Sequence, residues 1–195
     1  MKLIMIAGYL GSGKTTLLLQ AARTLKPLFQ KIVIIENEIG TVGIDGKYLT
    51  QEGLEIQELF GGCVCCTLKA DLLSTLDRIK KTLAPDLILL EPTGLSNPQD
   101  LVTTIRDYGP VMEKIEVVTL IDPTRFEMLW EVVTPLITSQ IKAGTVLVIN
   151  KVDLIEEGSL TSLITQLELL NPRADILCLS AEKGTNLEAL WKRWM

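Results

Sequence analysis

The stretch Gly8-Tyr9-Leu10-Gly11-Ser12-Gly13-Lys14-Thr15, with Thr16 after it, decides the fold. It fits G-x-x-x-x-G-K-[ST], preceded by an apolar, β-branched run at 2–7 and followed by helical spacing over 14–25. A strand, a glycine loop and a helix amino terminus in that order turn backbone N–H groups inward and aim a helix dipole at an anion, forming a cradle for phosphate. In such a P-loop Gly8, Gly11, Ser12, Gly13 and Thr16 surround the phosphates, Lys14 reaches the β- and γ-phosphates, and the Thr15 hydroxyl ligates Mg²⁺. A dinucleotide-binding G-x-G-x-x-G fails, because Gly11-Ser12-Gly13 runs into Lys14-Thr15-Thr16. Further apolar runs at 31–35, 54–59, 86–90, 115–121, 146–149 and 176–179 read as strands. Helical spacing recurs at 68–83, 98–108, 123–142, 160–170 and 186–194, with Pro135 expected to kink or split the third of these. The alternation predicts an α/β, doubly wound fold with a mostly parallel sheet flanked by helices. Strands apolar at nearly every position predict a sheet covered on both faces.

The chain has 195 residues, of which 47% are hydrophobic and 22% charged, so it is read as one globular domain spanning 1–195. Its net charge of −5, without basic runs, argues against nucleic-acid or anionic-membrane partners. The absence of His excludes imidazole metal ligands and Ser-His-Asp or Cys-His catalysis. The apolar amino-terminal run is too short for a membrane span and lacks a signal-peptide layout, which predicts a cytoplasmic protein.

Asn150-Lys151-Val152-Asp153 follows the run at 146–149. A carboxylate at Asp153 accepts both N1–H and N2–H₂ of guanine, whereas adenine presents an acceptor at N1 and is rejected. Ser180-Ala181, after the run at 176–179, fits a further base-contacting loop in which a backbone N–H meets the base oxygen. The run at 86–90 ends in Glu91-Pro92-Thr93-Gly94. An acid there binds Mg²⁺ directly or through water, and the Gly94 N–H senses a γ-phosphate. The plainer alternative has Glu91 capping the next loop. No Gln or Arg stands out as a group for orienting the attacking water.

Three of the four cysteines, Cys63, Cys65 and Cys66, crowd into Gly61-Gly62-Cys63-Val64-Cys65-Cys66, just before a predicted helix near Leu68. Thiolates at a helix amino terminus have depressed pKa values and ligate metal well. Three of them suit Zn²⁺ or Cu(I), with water or a carboxylate in the fourth position. Without His, the nearest fourth ligands are Glu36, Glu38 or Asp45, all in the Gly-rich acidic stretch 36–47, which reads as a mobile loop. Cys178, inside an apolar run, reads as core. So does the stripe Leu187, Leu190, Trp191 and Trp194, with a docking role for Trp194 as the alternative.

Taken in order, GYLGSGKTT, ENEIGTVGIDG, GGCVCCTLKADL, EPTGLSNP and NKVD resemble the GTPase domain of the CobW-like family of SIMIBI-class metal chaperones. The resemblance implies GTP hydrolysis coupled to binding and delivery of a transition metal, often Zn²⁺, to client proteins. It implies that Lys14 and Thr15 serve phosphate and Mg²⁺ and that Asn150 and Asp153 serve guanine. Cys63, Cys65 and Cys66 would hold the metal near Glu36 and Glu38. It covers the GTPase domain only, without the carboxy-terminal domain usual in the family, and that family's acid–threonine–threonine–glycine is Glu91-Pro92-Thr93-Gly94 here. Expected partners are guanine nucleotide (GTP/GDP), a client metalloprotein or activator protein, and a second copy in a nucleotide-dependent homodimer. Turnover is expected to be slow until a partner supplies a missing group. Two other readings stand beside this one: a slow GTP-gated metal sensor or partner-protein activator, and an ATP-using small-molecule kinase, against which Asn150 to Asp153 argue.

Overall fold

The strands predicted from the apolar runs all form, and they assemble into one parallel sheet. The computed structural model describes residues 1–36, 55–58, 66–156 and 158–195. In chain order it contains β1 (Lys2–Gly8), α1 (Lys14–Leu25), β2 (Ile32–Glu36), β3 (Glu55–Glu58), α2 (Cys66–Thr82), β4 (Leu87–Glu91) and α3 (Pro98–Tyr108). It continues with β5 (Lys114–Ile121), α4 (Phe126–Ala143), β6 (Val146–Ile149), a 3-10 turn (Val152–Leu154), α5 (Thr161–Leu170), β7 (Asp175–Cys178) and α6 (Glu188–Trp194). The sheet order is β3-β2-β4-β1-β5-β6-β7, with every neighbouring pair parallel. Each crossover between parallel strands needs a long connection, which is why helices separate most of them.

Alternation along the strands sorts the core into two faces. Ile4, Ile6, Val118, Leu120, Val146 and Val148 point to one face, where α1 supplies Leu17, Leu18, Ala21, Ala22 and Leu25, and α6 supplies Leu190, Trp191 and Trp194. Leu3, Met5, Val33 and Ile35 point to the other, under Leu72, Leu76 and Ile79 of α2 and Leu101, Val102 and Ile105 of α3. Ile121, Leu147 and Ile149 extend that face beneath α4 and α5. Each leucine so buried is worth about 1.5–3 kcal/mol relative to exposure, so the two layers hold the carboxyl ends of the strands, and the loops after them, in fixed relation.

Three local features have identifiable causes. The long helix α4 bends at Val133 (φ −132°, ψ 35°), two residues before Pro135, which lacks an N–H and crowds the preceding turn. β7 is an edge strand and only partly covered, so Cys178 is half-buried rather than core, and burial pushes its thiol pKa up. The stripe Leu187, Leu190, Trp191 and Trp194 is buried as core, not exposed for docking. Trp194 Nε1 donates to Oε1 of Glu116, a carboxylate buried in β5 that also accepts from Arg193 Nε at 2.9 Å and pairs with Lys114. No described helix is long and apolar enough to cross a membrane.

Candidate functional site

The glycine loop leaves β1 at Gly8 and enters α1 at Lys14. Gly13 sits in the left-handed region (φ 96°), and a Cβ there would lie 2.3 Å from Asn150 Nδ2, so both backbone and neighbour require glycine. Gly11 (φ 74°) is similarly confined by Arg125, whose Nη2 would lie 2.9 Å from an added Cβ. α1 begins with neither a side-chain cap nor an acidic residue in its first turn, so its free N–H groups and positive dipole end face the loop. Lys14 is 7% exposed, with Nζ 3.5 Å from the Tyr9 carbonyl and 3.8 Å from Glu91 Oε1. Ser12 Oγ is buried and makes no hydrogen bond among the described residues.

Glu91 ends β4 on the α1 side of the sheet, and its Oε1 accepts from Thr15 Oγ1 at 3.0 Å. Two hard oxygen donors at that separation match adjacent vertices of a Mg²⁺ octahedron with bonds of about 2.1 Å, which puts them about 3.0 Å apart. The donor set therefore fits the ion expected from the sequence. Beyond Glu91, Gly94 packs so closely that an added Cβ would lie 2.6 Å from the Leu10 N–H nitrogen. Gln140, buried on α4, donates from Nε2 to the Gly94 and Ser96 carbonyls at 3.0 and 3.2 Å, fixing this loop from behind.

The loop after β6 joins the glycine loop through one side chain. Asn150, 2% exposed, donates from Nδ2 to the Ser12 carbonyl at 2.8 Å and accepts at Oδ1 from the Ala181 N–H at 2.9 Å. The Ser180–Ala181 loop, in which a backbone N–H was expected to meet the base oxygen, is thereby tied to the glycine loop through Asn150. Ser180 is fully buried, and its Oγ accepts from the Lys183 N–H. Lys151 is left-handed (φ 60°) and its Nζ donates to the Gly11 carbonyl and to Asp122 Oδ2, each at 2.7 Å. Asp153 lies in the 3-10 turn, exposed, and its carboxylate makes no hydrogen bond among the described residues.

Asp122, Arg125 and Gln140 were missed by sequence reasoning. Asp122 is 4% exposed and accepts from Lys151, from Arg125 Nε at 3.2 Å, and from the Thr124 N–H and hydroxyl at 3.0 and 2.6 Å. Burial alone would raise its pKa, but the Lys151 ammonium and the Thr124 donors outweigh it and hold the carboxyl below the usual range. Arg125 Nη2 in turn donates to the Leu10 carbonyl at 2.7 Å. The available signal was position: Asp122 is the acid directly after a buried parallel strand, at the edge where such sheets hold ligands.

On the thiol side, Glu36 closes β2 and pairs in register with Glu91 of β4 and with Glu58 of β3. Cys66 opens α2. Cys63, Cys65, Glu38, Asp45 and the acidic stretch beyond Glu36 lie outside the described residues, and those described contain no group of three or more potential metal ligands.

A parallel sheet with the glycine loop between β1 and α1, and an acid at the end of β4 against the loop's threonine, defines a P-loop NTPase fold. More specifically, the chain belongs to the CobW/HypB/UreG nucleotide-binding-domain family, whose model matches residues 2–178. It is 32% identical over 151 residues to the zinc chaperone YeiR of Escherichia coli strain K12, covering 76% of this chain and 46% of that protein. It is 25% identical to zinc-regulated GTPase metalloprotein activator 1 of Dictyostelium discoideum, covering 88% of this chain and 44% of that one. The chain thus spans about half the length of the curated relatives it matches. Among solved structures, the hydrogenase maturation factor HypB from Archaeoglobus fulgidus shares the fold with a TM-score of 0.73 at 20% identity, covering 98% of this chain and 87% of that one.

Proposed function

We propose that this domain binds Mg²⁺·GTP, hydrolyses it to GDP and phosphate, and uses the nucleotide state to govern a zinc-binding thiol site. The observation that carries the nucleotide reading is Asn150, which ties the glycine loop to the loop after β7 and leaves Asp153, the next carboxylate, exposed beside them. Asp153 accepts the two N–H groups of guanine's Watson–Crick edge and meets an acceptor in adenine. Lys14 and the N–H groups of the first turn of α1 take the β- and γ-phosphate charge. Thr15 and Glu91 hold Mg²⁺, which when bound neutralises charge on the phosphate oxygens. Hydrolysis forms a bond from water oxygen to the γ-phosphorus and breaks its bond to the β–γ bridging oxygen, whose developing charge Lys14 stabilises. Turnover is slow until a partner supplies a group that orients that water.

Cys63, Cys65 and Cys66, with Glu36 and Glu38, take zinc as cargo for a client metalloprotein. Support comes from the names of the relatives, from Cys66 at the start of α2, and from Glu36 pairing in register with Glu91. The nucleotide reading is tested by competition for a fluorescent GTP analogue. GTP and GDP displace it, ATP does not, and Asp153→Asn shifts the preference towards xanthine nucleotide. Equal displacement by ATP and GTP refutes the base-site assignment.

A further inference from the structure

A glycine loop receives phosphate only when its amides point inward, and the peptide unit is planar and trans, so each inward N–H requires the preceding carbonyl to point outward. Outward carbonyls need partners of their own. Here two successive ones are capped by cations: Arg125 Nη2 donates to the Leu10 carbonyl and Lys151 Nζ to the Gly11 carbonyl, both at 2.7 Å. Both cations converge on one atom, Oδ2 of the buried Asp122, at 3.2 Å from Arg125 Nε and 2.7 Å from Lys151 Nζ. The other oxygen of Asp122 is taken by the Thr124 N–H and hydroxyl, which fixes the carboxylate's rotation. On the inner side, the Ser12 N–H and the Lys14 ammonium share the Tyr9 carbonyl at 3.2 and 3.5 Å.

We infer that Asp122 and Arg125 are positioning residues for phosphate binding: with Lys151 they form an outer frame that turns the Leu10 and Gly11 carbonyls away from the ligand. The Gly11 amide is thereby held inward before any nucleotide arrives, and the Ser12 amide is turned to the same inner side, where it bonds the Tyr9 carbonyl in the absence of phosphate. A donor preorganised like the Gly11 amide needs no rearrangement when charge enters. The two arms differ in reach. Besides Asp122, the Arg125 guanidinium bonds only the glycine loop among the described residues, whereas Asp122 also secures Lys151, part of the base loop. The inference rests on the proposed phosphate site and goes beyond it by assigning two residues that never touch the ligand.

The test is calorimetric titration of the purified chain with GMP, GDP and a non-hydrolysable GTP analogue, in wild type, Arg125→Ala and Asp122→Asn, with thermal melts of each nucleotide-free protein. Losing a charged hydrogen bond corresponds to about tenfold or more in affinity. Arg125→Ala is expected to lose that factor for GDP and the GTP analogue and to keep wild-type affinity for GMP, because its side chain is 39% exposed and leaves the base loop intact. Asp122→Asn is expected to weaken all three ligands. Arg125→Ala binding GDP as wild type does, or losing GMP and GDP alike, overturns the inference. Wild type that binds neither GDP nor the GTP analogue overturns the proposed phosphate site itself, which is a different result.

Discussion

Replacing Asn150 with alanine separates architecture from ligand contact. The native side chain satisfies the Ser12 carbonyl and the Ala181 N–H, and both residues are at most 1% exposed, so water cannot substitute without opening the loops. Each orphaned buried group costs about 1–3 kcal/mol. Two such groups, each in the lower half of that range, give a loss of about 3 kcal/mol. For a chain of this size that corresponds to a melting temperature lower by roughly 6–12 °C. The measurement is thermal and urea unfolding of nucleotide-free protein, with Asp153→Ala alongside. Asp153 is exposed and without a partner among the described residues, so its variant is expected within about 0.5 kcal/mol of wild type while losing guanine nucleotide binding. An Asn150→Ala protein that melts within a degree of wild type would refute the claim that this amide joins the loops.

Lys14→Ala and Thr15→Ala should each abolish phosphate release while circular dichroism and melting stay near wild type; retained hydrolysis in Lys14→Ala removes the loop from the chemistry. Because the Asp122 carboxyl is lowered in the folded state, its stabilisation is complete at pH 7 and is lost as pH falls below the ordinary carboxylate range through the lowered value. Asp122→Asn should therefore destabilise strongly at pH 7, with the difference from wild type shrinking progressively as pH falls below the ordinary carboxylate range in urea titrations; a difference that stays constant over that whole descent contradicts the assignment. Arg193→Ala leaves Glu116 buried with a weakened partner set, so a loss of about 2–4 kcal/mol is expected, partly restored in Glu116→Gln/Arg193→Ala. No gain from the double variant would show that the charge of Glu116 is not the cause.

The architecture was legible because short runs apolar at nearly every position, separated by helical spacing, leave few alternatives, and Pro135 placed its bend to within two residues. The burial of Cys178 was overestimated because its run is as apolar as a central strand's, and edge position depends on sheet order rather than on local sequence. The convergence of Lys14, Thr15 and Glu91 was legible because chemistry and strand–loop–helix context agree on each. The motif assigns Asn150 to the base, while its span from Ser12 to Ala181 is visible only in the fold. Asp122, Arg125 and Gln140 carried no motif. Their roles exist through partners 115 and 46 positions away in the chain, for Arg125 with Leu10 and Gln140 with Gly94, and such pairings cannot be read from spacing.

The coupling of metal to nucleotide is tested most directly by titrating the wild-type chain with Zn²⁺ and Co²⁺ in the presence of GDP and then of a non-hydrolysable GTP analogue. Thiolate-to-cobalt absorption reports sulfur ligation. Glu36 neighbours Glu91 across β2 and β4, so a change of state at the γ-phosphate can add a carboxylate to the thiol site or withdraw it. The expected result is a change of about 10–100-fold in metal affinity between the two nucleotide states, equivalent to a coupling of roughly 1–3 kcal/mol, mirrored in GTP affinity with and without metal. Cys65→Ser should weaken the metal and erase that difference. Identical metal affinities in both states would contradict it, leaving a thiol site and a nucleotide site that act independently.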